Sequence, residues 1–148
     1  MSDDISDTFS VPIKEFPGYL LRAASQAAIS RLSERLGEYD MRLTEASILV
    51  AIQTNPGCRQ SQIGKSLYIS SANLTPKLHQ LEKRKLIKRK PLDGRTNWLT
   101  LTQRGDEVAS ACLIAMKEHE DVLLELIKPI SADEFTAAMK RLTTAFNR

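Results

Sequence analysis

The side chains able to do chemistry gather in one stretch of the chain. Ser70, Ser71, Asn73, Thr75, Lys77, His79, Gln80 and Arg84 lie close together, with Pro76 among them. Lys83, Arg84, Lys85, Lys88, Arg89, Lys90 and Arg95 then crowd into residues 83–95 against one acid, Asp93. Amides and hydroxyls offer donors and acceptors that suit base edges, and Lys and Arg suit phosphates. A charge run alone is commonly a solvated face. Beside a row of amides and hydroxyls, it has the composition of a nucleic-acid-binding surface.

Other chemistries are poorly provided for. The chain has no phosphate-cradling Gly loop, no metal-ligand set and no nucleophile–base pair, and its two histidines, His79 and His119, fall on separate elements. Neither catalysis nor a metal or cofactor is expected. Cys58 and Cys112 are too few and too far apart for a disulfide framework. Cys112 falls on an apolar stripe and reads as packing. Cys58 stands beside Arg59 in an expected loop, which leaves redox sensing through Cys58 as an alternative.

The elements that must position the polar stretch follow from periodicity. A first helix is expected over Gly18–Leu36, with Leu20, Leu21, Ala24, Ala28, Leu32 and Leu36 at helical spacing. A second should open at Thr44 as N-cap and break at Asn55-Pro56-Gly57, with Ile48, Leu49, Ala51 and Ile52 buried. A short third helix, Gln60–Leu67, starts on Arg59, a poor cap. The fourth, Ser71–Lys85, carries one apolar stripe of Leu74, Leu78 and Leu81. Pro76 reads as a tolerated early-helix proline. The period then changes to strands at Leu86–Lys90 and Trp98–Leu101 around a turn at Pro91–Arg95. Thr102 should cap a fifth helix running to about Lys128, and Ser131 with Glu134 forms a capping box for a sixth.

Helix, short helix, turn, helix, hairpin is the order of a winged helix-turn-helix. The fold class expected is mainly α with a small β-hairpin. The leucine stripe of the fourth helix packs inward, which leaves its opposite face free for a major groove. His79 falls on that exposed face. A winged-helix protein-interaction module is the alternative, and the basic hairpin argues against it.

The stretch LEKRKLIKRKPLDGRTNWLTLTQRG from Leu81 to Gly105, with the helix order on both sides, resembles the MarR (multiple-antibiotic-resistance regulator) family. Where that family commonly has Gly after the LEKR position, this chain has Lys85. The resemblance implies a ligand-responsive DNA-binding regulator, a repressor of a nearby operon. It implies that Arg95 enters the minor groove and that Asp93 holds the wing, a role suited to Arg. It further implies a homodimer on a near-palindromic operator, formed by N- and C-terminal helices at 1–43 and 103–148 around a winged part at 44–102. The effector pocket it implies lies between these parts, with lining candidates Tyr19, Arg22, Ala23, Gln26, Ile48, Ile52, Met116 and His119. The GYLLRAA and ANLTP stretches resemble regulators of aromatic catabolism, pointing to an aromatic carboxylate or its CoA thioester.

Bulk properties agree with this organisation. The chain has 148 residues, 42% hydrophobic and 26% charged, with a net charge of +3, which suits one globular domain. Apolar seams on the first, fifth and sixth helices exceed what a domain this small needs, and a dimer is expected from them. The fifth carries Gly105, Val108, Cys112, Ala115, His119, Val122 and Leu126. The acidic residues 1–10 lack the basic and apolar regions of a signal peptide, and a cytoplasmic, non-membrane location is expected.

Overall fold

A computed structural model describes residues 11–91 and 97–146. After a 3-10 turn at Pro12–Glu15, six helices and three short strands follow. They are α1 (Pro17–Gly37), α2 (Leu43–Thr54), β1 (Cys58–Arg59), α3 (Gln60–Ser66), α4 (Ser71–Lys83), β2 (Ile87–Pro91), β3 (Asn97–Leu101), α5 (Gln103–Leu126) and α6 (Ala132–Phe146). The strands form one antiparallel sheet in the order β1-β3-β2.

α2 begins one residue before its expected cap. The Glu45 carboxylate accepts the Arg42 backbone N–H at 3.0 Å, so an acid in the first turn closes the helix start instead of the Thr44 hydroxyl. Thr102 and Ser131 cap as expected: Thr102 Oγ1 accepts from Gly105 N at 2.9 Å, and Ser131 and Glu134 bond reciprocally. The Ser131 hydroxyl, donating to Glu134 Oε2 at 2.7 Å, and then the Ser131 backbone N–H hold the Glu134 carboxyl below its usual range.

Three helices end with one device. Asp40, Tyr68 and Lys85 adopt left-handed backbone at φ 53°, 54° and 59°. In each case the next N–H reaches back to a carbonyl in the last turn: Met41 to Leu36, Ile69 to Gly64, Leu86 to Leu81. These are Schellman closures built without glycine. They end α4 at Lys83, two residues before the expected Lys85, because Lys85 leaves the helical region. Glycine would adopt that backbone unstrained. Lys85→Gly is therefore expected to stabilise the chain by about 1 kcal/mol, read as a higher urea midpoint at unchanged slope. A lower midpoint would show that the Lys85 side chain contributes more than its backbone costs.

The core lies where α2, α4, α5, the sheet and the C-terminal turns of α1 meet. Leu32, Leu36, Ile48, Leu49, Ile52, Leu74, Leu78, Leu81, Leu86, Ile87, Leu99, Ala109, Cys112 and Ala115 fill it. Ala51 stays half-buried at the edge, and Ala46 is buried in its place. α1 buries only Leu32 and Leu36, leaving Leu20, Leu21 and Ile29 exposed. α6 buries no residue, although Phe135, Ala138, Met139, Leu142 and Phe146 align on one face. Among the described residues, no helix is long and apolar enough to cross a membrane.

β1 is a correction to the sequence reading. Cys58 and Arg59 form an edge strand paired with Leu99 and Trp98. A two-residue strand has no period to read, and its partner fixes it. In the hairpin, Ile87 faces Leu101, Arg89 faces Leu99, Lys88 faces Thr100 and Lys90 faces Trp98. The register puts Lys88 and Lys90 on the outer side and Ile87 with Leu99 on the core side.

Candidate nucleic-acid interface

α4 is anchored by Leu74, Leu78 and Leu81, each essentially buried. That orientation turns Ser71, Asn73, Thr75, Pro76, His79, Gln80 and Lys83 to solvent, with Lys77 half-buried. Ser70 caps the helix, its Oγ accepting from Asn73 N at 3.3 Å. Thr75 spends part of its capacity inside the molecule: its hydroxyl donates to Ser71 O at 2.9 Å and accepts from Gln60 Nε2 at 2.7 Å, tying α3 to α4. Pro76 is the sixth residue of the helix, past the four positions whose N–H needs no helical partner. It therefore removes one helical hydrogen bond, contrary to the expectation that it sits harmlessly near the start.

The charges resolve into paired and unpaired groups. Glu82, the one acid on α4, accepts from Arg89 Nε at 3.0 Å. Arg84 turns inward, its Nη2 donating to the Asp40 carbonyl at 2.7 Å, with Asp40 Oδ2 at 3.2 Å and Glu45 Oε2 at 3.8 Å. Lys65, Lys77, Lys83, Lys88 and Lys90 form no ion pair among the described residues. These five lysines lie on α3, α4 and β2. Asp93 and Arg95, expected at the wing tip, lie outside the described residues.

Sequence reading misses the contribution of α3. Arg59, Gln60, Ser61 and Lys65 line a concavity of about 500 Å³ with Ser71 of α4 and Arg89 of β2. In the sequence, the Arg59-Gln60-Ser61-Gln62 run reads only as a weak helix start. Its cap is Gln62, whose Oε1 accepts the Arg59 N–H at 2.8 Å.

Residues 41–96 match the MarR family model. The HTH-type transcriptional regulator SarZ of Staphylococcus aureus is 29% identical over 94 residues, 62% of this chain and 64% of SarZ. Over these residues the chain is similar to regulators of the MarR family. That family comprises DNA-binding transcription regulators rather than enzymes. The transcriptional repressor CouR, solved with p-coumaroyl-CoA, is 25% identical with a TM-score of 0.77, covering 94% of this chain and 97% of CouR. CouR bound to a 23-mer DNA duplex has a TM-score of 0.76 over 95% of this chain and 100% of CouR. PcaV from Streptomyces coelicolor, 23% identical with a TM-score of 0.76 over 94% of this chain and 97% of PcaV, shares the fold. The match to SarZ spans less than two thirds of that regulator.

The expected effector residues separate into two groups. Tyr19, Arg22 and Gln26 stand together on α1: the Arg22 guanidinium lies 4.8 Å from the Tyr19 ring centroid and donates to Gln26 Oε1 at 3.0 Å. Ala23 is half-buried beside them. Ile48 and Ile52 are fully buried core side chains, and Met116 packs against that core. Within one chain, Ile48 and Ile52 present no surface to a ligand. His119 is buried, and its Nδ1 has no hydrogen-bond partner among the described residues.

Cys58 is not in the loop expected but is a buried residue of β1. Burial raises the pKa of both Cys58 and Cys112, keeping them as thiols, the unreactive form. Among the described residues, no cluster of three His, Cys, Asp or Glu side chains could hold a metal ion.

Proposed function

We propose that this chain is a dimeric transcription regulator of the MarR type that binds double-stranded DNA. One observation carries the reading most strongly. The outward face of α4 combines Asn73, His79 and Gln80 with unpaired lysines, and its only acid is neutralised by Arg89. Amide side chains suit base edges, and cations around them suit phosphates. The CouR–DNA complex, of the same fold and 25% identical, supports it.

In this reading Ser70, Ser71, Lys77 and Lys90 hold the DNA backbone, and Thr75 holds α3 against α4 beside them. Asn73, His79 and Gln80 face the bases, Pro76 shapes the start of α4, and Asp93 with Arg95 forms the wing tip. Residues 44–102 form the DNA-reading part, and 1–43 with 103–148 the dimerisation part. A two-fold dimer places two copies of α4 on half-sites about one DNA turn apart, so the operator is a near-palindrome. The regulator is a cytoplasmic repressor of a nearby operon, released by an aromatic carboxylate or its CoA thioester. In this reading Arg22 meets the effector's anion, with His119 and Met116 contributed from α5. CouR, a repressor that binds p-coumaroyl-CoA, supports that effector class.

The test is binding to duplexes from the upstream region, measured by fluorescence anisotropy across salt concentrations. The expected result is preference for one duplex and a steep loss of affinity with salt. Asn73→Ala and Gln80→Ala should each cost about 1–3 kcal/mol on the preferred duplex and little on unrelated DNA. Equal loss on every sequence would contradict base reading by these side chains.

A further inference from the structure

Arg84 ends the stretch of α4 that carries the reading face, yet its guanidinium folds back onto the ends of α1 and α2. It is the C-cap residue of α4, with side-chain exposure of 32%. Nη2 donates to the backbone carbonyl of Asp40 at 2.7 Å and lies 3.2 Å from Asp40 Oδ2. Nη1 lies 3.8 Å from Oε2 of Glu45, a side chain only 11% exposed. Asp40 is the left-handed residue that closes α1, and Glu45 is the acid that closes the start of α2. One guanidinium therefore joins the end of α1, the start of α2 and the end of α4.

We infer that Arg84 is a positioning residue that sets the angle of the reading helix, and not a phosphate contact. The inference rests on the DNA-binding reading above. The leucine stripe fixes the distance of α4 from the core, but an apolar stripe is non-directional and resists small rotations weakly. A fork of directional N–H donors at the helix end is what fixes tilt. The lever is long. The 13 residues of α4 span about 20 Å, so a tilt of about 3° moves the far end by about 1 Å. That far end carries Ser71 and Asn73.

Two properties separate the roles. A phosphate contact depends on charge, and Lys supplies it. A tie that spans a carbonyl and two carboxylates depends on the fork, and Lys does not supply it. A phosphate contact also adds to the salt dependence, whereas a positioning residue does not.

The experiment uses the full chain and a duplex selected from random sequence by the wild-type protein, with a scrambled duplex as control. Arg84→Lys, Arg84→Gln, Asp40→Asn and Arg84→Gln/Asp40→Asn are titrated across a salt series, with melting curves to confirm folding. Arg84→Lys and Arg84→Gln should each weaken binding to the selected duplex about ten-fold, the scale of one specific base interaction. The salt slope and the scrambled-duplex affinity should stay unchanged. Asp40→Asn should also weaken binding, and the double variant should lose no more than Arg84→Gln alone.

Three results overturn the inference. One is full activity of Arg84→Lys. Another is a salt slope shallower by about 2 in Arg84→Gln, the value expected if each of two protomers releases one phosphate fewer of its counterions. The third is tighter binding by Asp40→Asn, as expected if that acid merely competes with DNA for Arg84. If Arg84→Gln does not fold, Arg84→Lys decides. A wild-type chain that selects no duplex overturns the DNA-binding reading itself, and this inference with it.

Discussion

Gly105→Ala should cost about 3–5 kcal/mol, more than the usual penalty for one extra methyl, because the obstacle is backbone. A Cβ on Gly105 would stand 1.9 Å from the Leu86 carbonyl oxygen and 2.8 Å from its carbon. That carbonyl cannot rotate away freely. It accepts the Thr102 N–H at 3.0 Å, while Thr102 Oγ1 accepts from Gly105 N and donates to Lys85 O at 2.8 Å. The base of β2, the end of β3 and the first turn of α5 meet at this point, and a methyl must push them apart. The check is urea unfolding beside Gly18→Ala, where a Cβ meets nothing within 4 Å. Gly18→Ala should stay within about 0.5 kcal/mol of wild type. A small effect at Gly105 would mean that the wing base deforms easily.

The match between sequence and structure varies with the origin of each feature. Elements set by their own residues were legible. Leu74, Leu78 and Leu81 announced the buried side of α4, and Ser131 with Glu134 announced the start of α6. The change from helical to alternating pattern after Leu86 located the hairpin. Features set by distant residues were not legible. β1 is a strand only because β3 lies beside it, so Cys58 read as a loop thiol. Arg84 read as one more cation on a basic helix, because its partner Asp40 lies 44 residues earlier at a left-handed turn. The Gly-to-Lys85 departure from the family pattern was visible, but its positive φ was not. The assignment of Asp93 and Arg95 to a wing tip comes from the sequence pattern.

The second large effect concerns α6. A helix with one apolar face and no buried residue is not stabilised by packing in a single chain. Phe146 is 82% exposed and Leu142 37%, and Leu126 near the end of α5 is 80% exposed. Leu20 and Leu21 on α1 are exposed as well, so apolar side chains stand uncovered on α1, α5 and α6. A second copy of the chain is the proposed cover. Met139→Asp with Leu142→Asp places two charges in the middle of that face, where a closed interface would leave them buried and unpaired. The expected result is a monomer at micromolar concentration by sedimentation equilibrium. The elements outside α6 should keep their structure, since none of their core side chains comes from it. DNA affinity should fall further than either substitution could cause by contact. Two linked reading helices gain about 10²–10⁴ over one through effective concentration, and the monomer forfeits that gain. A variant that stays dimeric would place the interface elsewhere. A monomer that keeps full affinity for the selected duplex would show that one copy of α4 suffices.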